Sequence, residues 1–127
     1  MKRYYKDLNK TVNIVYNKII PFGNYVIINI FGILFTKRKG GLFRTKDINH
    51  ELIHTEQMKE LGYICFYLWY GIEYLIIRLF HKKQGDAYAD VSFEEEAYVN
   101  ENDFNYIKNR KRYSWIKYIK IKSNGRI

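Results

Sequence analysis

The feature that most constrains this chain is the sequence His-Glu-Leu-Ile-His at residues 50–54. Residues four apart lie above one another on one face of an α-helix, so a helix here would direct the imidazoles of His50 and His54 towards a single metal ion. Glu51 lies about 100° further round such a helix, where its carboxylate would reach a water molecule beside the ion rather than the ion itself. The spacing therefore predicts a helix with two metal ligands and one general base. It leaves open a helix whose histidines bond only to neighbouring side chains.

A later segment, Ser92 to Glu101, supplies candidates for a third ligand. Ser92 is of a residue type that is common at the N-cap of helices. The three consecutive acids that come after it, Glu94, Glu95 and Glu96, would match the positive end of the helix dipole in the first turn. The sequence therefore predicts a helix that is capped by Ser92.

Helical geometry favours Glu94 among these acids as the third metal ligand. Glu94 and Glu101 share one face with the small Ala97 between them, whereas Glu95 falls on another side. Helix boundaries read from a sequence shift by a few residues, so Glu96 is the alternative ligand. Glu101 is expected to accept a hydrogen bond from an imidazole N–H, and a solvated surface position is its alternative.

The composition is that of a folded protein rather than a disordered one. Apolar residues make up 47% of the 127 residues and aromatic residues make up 18%, which supports a hydrophobic core. We expect one domain over residues 1–127. The single cysteine, Cys65, excludes an intrachain disulfide and is expected to be buried, because it lies in an apolar run.

The chain is basic, with a net charge of +9. Eight basic residues lie near the C-terminus, at positions 108, 110, 111, 112, 117, 120, 122 and 126. We expect a basic, amphipathic tail over about residues 106–127 that packs on the domain and exposes its charged side. The expected partner is a peptide or protein substrate. A membrane surface that contacts the aromatic and basic segments is a second candidate, and no nucleic acid is expected.

No apolar segment with a small-residue cleavage site follows the first residues of the sequence. The expected location is therefore cytoplasmic, and membrane association stays open.

The N-terminal half predicts a small sheet. Residues 1–18 have a weak apolar pattern that fits either a short helix or a strand, and Pro21 to Asn24 is typical of a turn. Tyr25 to Phe35 is rich in β-branched and aromatic residues, so it predicts one strand, or two strands bent at Gly32.

The remaining sequence predicts helices. The first begins near Asp47, with Thr45 or Asp47 as its cap, and ends at Gly62. Tyr63 to Phe80 is largely apolar and is expected to form a central buried helix, with a helix at a membrane surface as the alternative. His81 to Asp86 is expected to be a loop.

With these motifs in view, the chain resembles the zincin metallopeptidases that use glutamate as the third ligand, the gluzincins. In several such families this ligand lies on a later helix in an E-x-x-A pattern, which Glu94 to Ala97 matches. Residues 49–57 and 93–98 are also similar to small bacterial zincin-like proteins. The resemblance covers about residues 25–101. It departs at Tyr98, where related families often have an Asp or Asn that forms a hydrogen bond beside the site.

The resemblance implies an α+β fold, a minimal zincin-like domain in which a small β-sheet packs beside the HExxH helix and further helices. It implies one zinc ion held by His50, His54 and Glu94 with water in the fourth position, which is the open arrangement of a catalytic site. Other divalent ions would also suit these ligands, and zinc is favoured. The implied activity is hydrolysis of a peptide bond with Glu51 as general base, and an exposed sheet edge would bind the peptide.

Two other classes of function stay open. One is a zincin-fold protein that binds metal but does not turn over substrate. The other is a basic peripheral protein that binds anionic lipid or nucleic acid through its tail, with the HExxH sequence incidental. For the enzyme, the sequence does not rank the side chains that could stabilise an oxyanion, which are those of Tyr88, Tyr98, Tyr106 and His81.

Overall fold

The computed structural model describes residues 2–20, 26–38, 43–81 and 91–119. These residues form a mixed α+β fold, as predicted. In chain order the elements are β1 (Lys2–Tyr5), β2 (Lys10–Tyr16), β3 (Ile27–Ile30), β4 (Ile33–Thr36), α1 (Thr45–Leu61), α2 (Ile64–His81), α3 (Ser92–Asn100), α4 (Tyr106–Asn109) and a 3₁₀-helix (Ser114–Tyr118).

The four strands form one sheet in the order β1-β2-β4-β3. The outer pairs are antiparallel and the central pair, β2 with β4, is parallel. The sequence left one strand or two strands open for Tyr25 to Phe35; the structure has two strands, because Phe31 and Gly32 form a tight turn with φ angles of 53° and 90°. For the N-terminal segment, which fitted either a short helix or a strand, the structure has the two strands β1 and β2. The turn predicted at Pro21 to Asn24 lies outside the described residues.

The HExxH sequence lies on a helix, α1, as predicted, and this helix begins at Thr45. The helix ends at Gly62, which has a left-handed φ of 71°. Its predicted cap is wrong, since the N-cap is Arg44 and no side chain caps it. Asp47 lies in the first turn instead, where it accepts a hydrogen bond of 3.1 Å from the guanidinium of Arg44.

Helix α1 contributes to two separate apolar clusters. Ile48 packs with the sheet, whereas Met58 packs with the other helices. The sheet cluster consists of Tyr5, Leu8, Val12, Ile14, Leu34 and Ile48. The helical cluster consists of Met58, Phe66, Ile77, Val91, Phe93, Trp115 and Ile119. Because α1 packs on both, its histidines are held between two layers of structure.

Helix α2 is buried on one side and exposed on the other, so the prediction of a central buried helix is wrong for the exposed side. Phe66 and Ile77 lie in the helical cluster, but Leu68 and Leu79 are 60% and 70% exposed. Cys65 is also exposed, contrary to expectation. Within the described ranges, no single helix is long and apolar enough to cross a membrane. Helices α1 and α2 taken together, with a bend of 109°, meet that test on length and composition.

The basic tail is exposed at Lys108, Lys111, Arg112 and Lys117, but Arg110 is an exception. Its guanidinium is buried and donates to Glu96 Oε2 at 2.6 Å and to Glu60 Oε2 at 2.6 Å. The tail is thereby joined to α3 and α1, and one positive charge is shared between two carboxylates whose side chains are buried.

Substitution Arg110→Met is expected to lower the free energy of unfolding by about 3–5 kcal/mol, because it leaves buried carboxylates without their cation. Urea unfolding followed by circular dichroism measures this difference. The matched control is Arg112→Met, an exposed position at which a change within about 0.5 kcal/mol is expected. Equal effects of the two substitutions would contradict the proposed role of Arg110.

Candidate metal centre

Helices α1 and α3 bring together the three residues that were predicted as metal ligands. His50, His54 and Glu94 are 8%, 5% and 3% exposed, and one ligand atom from each lies within 4.8 Å of the others. This buried group could hold a metal ion. The alternative ligand Glu96 is not part of it, because its carboxylate bonds to Arg110, Gln57 and Tyr106.

The spacing of the three ligand atoms fits a small divalent cation. The distances are 3.1 Å from His50 Nε2 to Glu94 Oε1, 3.2 Å from His54 Nε2 to the same oxygen, and 3.2 Å between the two nitrogens. Metal–ligand bonds of about 2.0–2.2 Å in tetrahedral geometry separate neighbouring ligand atoms by about 3.3–3.6 Å. The triangle therefore has nearly the size that a tetrahedral zinc site requires.

The outer nitrogen of His50 has a partner that fixes the tautomer of the ring. Its Nδ1 lies 2.9 Å from Glu101 Oε1, and the other oxygen of that carboxylate lies 3.2 Å from Lys46 Nζ. An ionised carboxylate only accepts, so His50 Nδ1 carries the proton and Nε2 presents its lone pair to the centre. The predicted role of Glu101 as acceptor for an imidazole N–H is confirmed.

The outer nitrogen of His54 has an equivalent partner, Gln57, which the sequence analysis missed. The Nδ1 of His54 lies 2.8 Å from Gln57 Oε1. The amide nitrogen of Gln57 donates to the Phe93 carbonyl and to Glu96 Oε1, which only accept, so the amide orientation is determined. Nδ1 of His54 is therefore the donor, so in the neutral ring Nε2 presents its lone pair to the centre. Gln57 lies three residues after His54 on the same helix, which was the available signal.

Glu94 is oriented by Tyr70, a second residue that the sequence analysis missed. The hydroxyl of Tyr70 donates to Glu94 Oε2 at 2.8 Å, which leaves Oε1 towards the histidines. The start of α3 is held by Glu73 of α2, whose carboxylate accepts from Ser92 N at 2.8 Å and from Ser92 Oγ at 2.7 Å. The predicted Ser92 cap is therefore wrong, because Ser92 is the first residue of the helix and donates to Glu73.

The electrostatics of the group favour a positive charge at its centre. Burial by itself would lower the pKa of His54, but the Glu94 carboxylate raises it to about 9. Burial likewise acts to raise the pKa of Glu94, yet the two histidines hold it far below its ordinary value. When no metal is bound, a proton supplies positive charge at the centre. A divalent cation would supply more positive charge at the same place.

Glu51 stands beside the group but is not one of its ligands. Its side chain is half-buried and lines a cavity of about 420 Å³ together with His50, Tyr98 and Glu101. Burial raises the pKa of the Glu51 carboxyl, the nearby Glu94 carboxylate adds to this, and the histidines oppose it. A carboxylate with a raised pKa in an open cavity is suited to take up and release a proton.

Asn29 fixes the edge strand β3 against α1 at the level of Glu51. Its Nδ2 donates to the Glu51 carbonyl at 2.8 Å and to Thr55 Oγ1 at 2.9 Å. Val26 and Ile27, at the start of this strand, line the same cavity. The cavity is therefore bounded by α1 on one side and by a sheet edge on the other.

Of the four oxyanion candidates, Tyr98 lines the cavity, and its ring packs edge-on against His50 with centroids 4.6 Å apart. The hydroxyl of Tyr106 donates to Glu96 Oε2 at 2.5 Å instead. Tyr88 and the side chain of His81 lie outside the described residues.

Comparison with protein-family models, with curated proteins and with solved structures found no match.

Substitution Glu101→Ala is expected to lower the affinity for zinc about 10–100-fold, because His50 loses the acceptor that fixes its tautomer. Competition with a chromophoric chelator measures the affinity. Glu56→Ala makes the same change in charge on α1 outside the metal centre, and its affinity should stay within about twofold of wild type. An affinity for Glu101→Ala equal to that of this control would contradict the assigned role.

Proposed function

We propose that the protein is a zinc-dependent metallopeptidase that hydrolyses peptide bonds. The observation that carries the proposal is the triangle of two imidazole nitrogens and one carboxylate oxygen next to a half-buried glutamate that lines a cavity. Two histidines and a glutamate are the ligands of known catalytic zinc sites in which the fourth position is left for water. The resemblance to the gluzincins supports the same assignment.

Within this proposal His50, His54 and Glu94 hold the zinc ion. When bound, the ion supplies a Lewis acid and lowers the pKa of a water molecule to about 7. Glu51 accepts a proton at its carboxylate as the water attacks the peptide carbonyl, and it then donates that proton to the leaving amine. The raised pKa of Glu51 suits both directions of transfer.

The proposed substrate is an extended peptide that lies in the cavity beside β3. Strand β3 is an edge strand in the described sheet, so its outer backbone groups are placed to pair with a further strand. The cavity wall includes apolar side chains from Val26, Ile27 and Phe43. Its basic and acidic side chains balance, since Lys46 pairs with Glu101 and Arg44 pairs with Asp47. An apolar side chain next to the scissile bond therefore suits the cavity best.

Substitution Glu51→Gln is expected to lower the rate of peptide cleavage about 10²–10⁴-fold while zinc stays bound, because the amide cannot accept the proton. A peptide library digested by the protein and analysed by mass spectrometry provides the assay, and cleavage should stop when a chelator is added. Full activity of Glu51→Gln with zinc bound would overturn the mechanism.

The same assay separates the enzyme from a protein that only binds metal. Wild-type protein that binds zinc with the three assigned ligands, yet cleaves no peptide in the library, would favour the protein that only binds metal.

A further inference from the structure

The side of α2 that faces away from the domain is apolar along its length. Every side chain in residues 64–80 that is exposed is uncharged, since Glu73 is buried and Arg78 is half-buried. We define this surface as the outer face of α2. The aliphatic residues on it, each between 54% and 70% exposed, are Ile64, Leu68, Ile72, Leu75 and Leu79.

The apolar surface continues from α2 onto two neighbouring elements. Phe31, in the turn between β3 and β4, is 50% exposed and packs edge-on against Tyr67 with ring centroids 5.5 Å apart. On another side the ring centroids of Trp69 and of Trp115 in the 3₁₀-helix lie 5.7 Å apart. The next residue of that helix, Ile116, is 45% exposed. Contiguous apolar surfaces of this kind mark sites of interaction rather than ordinary solvated surface.

The width of the outer face indicates what kind of partner covers it. At about 100° per residue, the exposed positions from Tyr67 to Phe80 span an arc of about 220° around the helix. A seam for one partner helix needs only a narrow stripe of apolar residues. An arc this wide suits a partner that covers half of the helix at once, as the boundary between headgroups and acyl chains of a bilayer does.

Charge and aromatic residues beside the outer face favour an anionic bilayer. Lys111, Arg112 and Lys117 are exposed on the segment whose Trp115 packs against Trp69 of α2, and the chain as a whole has a net charge of +9. Basic side chains near an anionic leaflet are attracted to its surface. Tyr67 and Trp69 are 36% and 37% exposed and add aromatic ring surface to the outer face, while their polar atoms donate to Asn29 and Glu73 within the protein.

We propose that the protein docks on an anionic lipid bilayer through the outer face of α2, with Phe31 and the 3₁₀-helix on either side of it. The docking uses no residue of the metal centre. It is therefore independent of the proposed hydrolysis, and removal of metal with a chelator should leave it unchanged.

The test uses the full chain in co-sedimentation with vesicles of phosphatidylglycerol and phosphatidylcholine, compared with vesicles of phosphatidylcholine alone. Wild type should bind the anionic vesicles more strongly, and less so at high salt. The double substitution Leu68→Glu and Leu75→Glu should weaken binding at least about tenfold. These side chains are 60% and 59% exposed, so the fold should persist, as thermal unfolding checks.

The matched control is the double substitution Ile19→Glu and Val99→Glu, which makes the same change in charge at positions that are 68% and 61% exposed. Its binding should stay within about twofold of wild type. As a second readout, brominated lipids should quench the fluorescence of wild type and quench Trp69→Phe much less, since Trp115 is buried.

Three results would overturn the proposal. One is no binding of wild type to anionic vesicles at low salt. Another is an equal loss of binding in the two double variants, which would mean that added negative charge weakens binding at either surface without docking through α2. The third is a dimer in analytical ultracentrifugation that Leu68→Glu and Leu75→Glu dissociate, with no vesicle binding, because a second copy of the chain would then cover the outer face.

Discussion

The lone pairs of His50 Nε2, His54 Nε2 and Glu94 Oε1 converge on one buried point between α1 and α3. Much of the structure around that point holds these three atoms in place. Glu101 and Gln57 fix the tautomers of His50 and His54, so neither neutral ring can direct an N–H inward. Tyr70 turns one Glu94 oxygen towards the rings. Three acceptors about 3 Å apart repel one another unless a cation lies between them. The arrangement is therefore most stable when it is bound to a positive charge.

The second requirement is that these groups keep their positions, and the packing of α1 meets it. The helix is held by the sheet cluster near Ile48 and by the helical cluster near Met58. A buried polar group also joins α1 to the segment that follows α3, since Asn49 donates to the carbonyls of Glu101 and Asp103. Metal ligands on rigid, doubly packed helices lose little conformational entropy on binding, which favours tight and selective coordination.

The features that the sequence predicted correctly depend on local geometry. The face shared by His50 and His54, and the face shared by Glu94 and Glu101, follow from the period of the α-helix. The end of α1 follows from the backbone preference of Gly62, whereas Gly32 allowed a bend without deciding between one strand and two. Each of these signals is contained within a few residues of chain, so no knowledge of tertiary structure was needed.

The features that were missed depend on contacts between distant parts of the chain. The start of α3 is capped by Glu73, nineteen residues earlier, so the usual preference for Ser92 as a cap did not apply. Tyr70 reaches Glu94 from another helix, and no spacing rule connects the two. The exposure of α2 was missed because a continuous apolar run has no period that separates an inner from an outer face.

The most direct test of the metal centre is the zinc content per chain, measured by mass spectrometry on protein purified without a metal-affinity tag. The proposed zinc site predicts one zinc ion per wild-type chain and loss of that ion in both His54→Ala and Glu94→Ala, with the fold of each variant checked by circular dichroism. Absence of metal from wild type after zinc has been offered, or retention of zinc in both folded variants, would contradict the account.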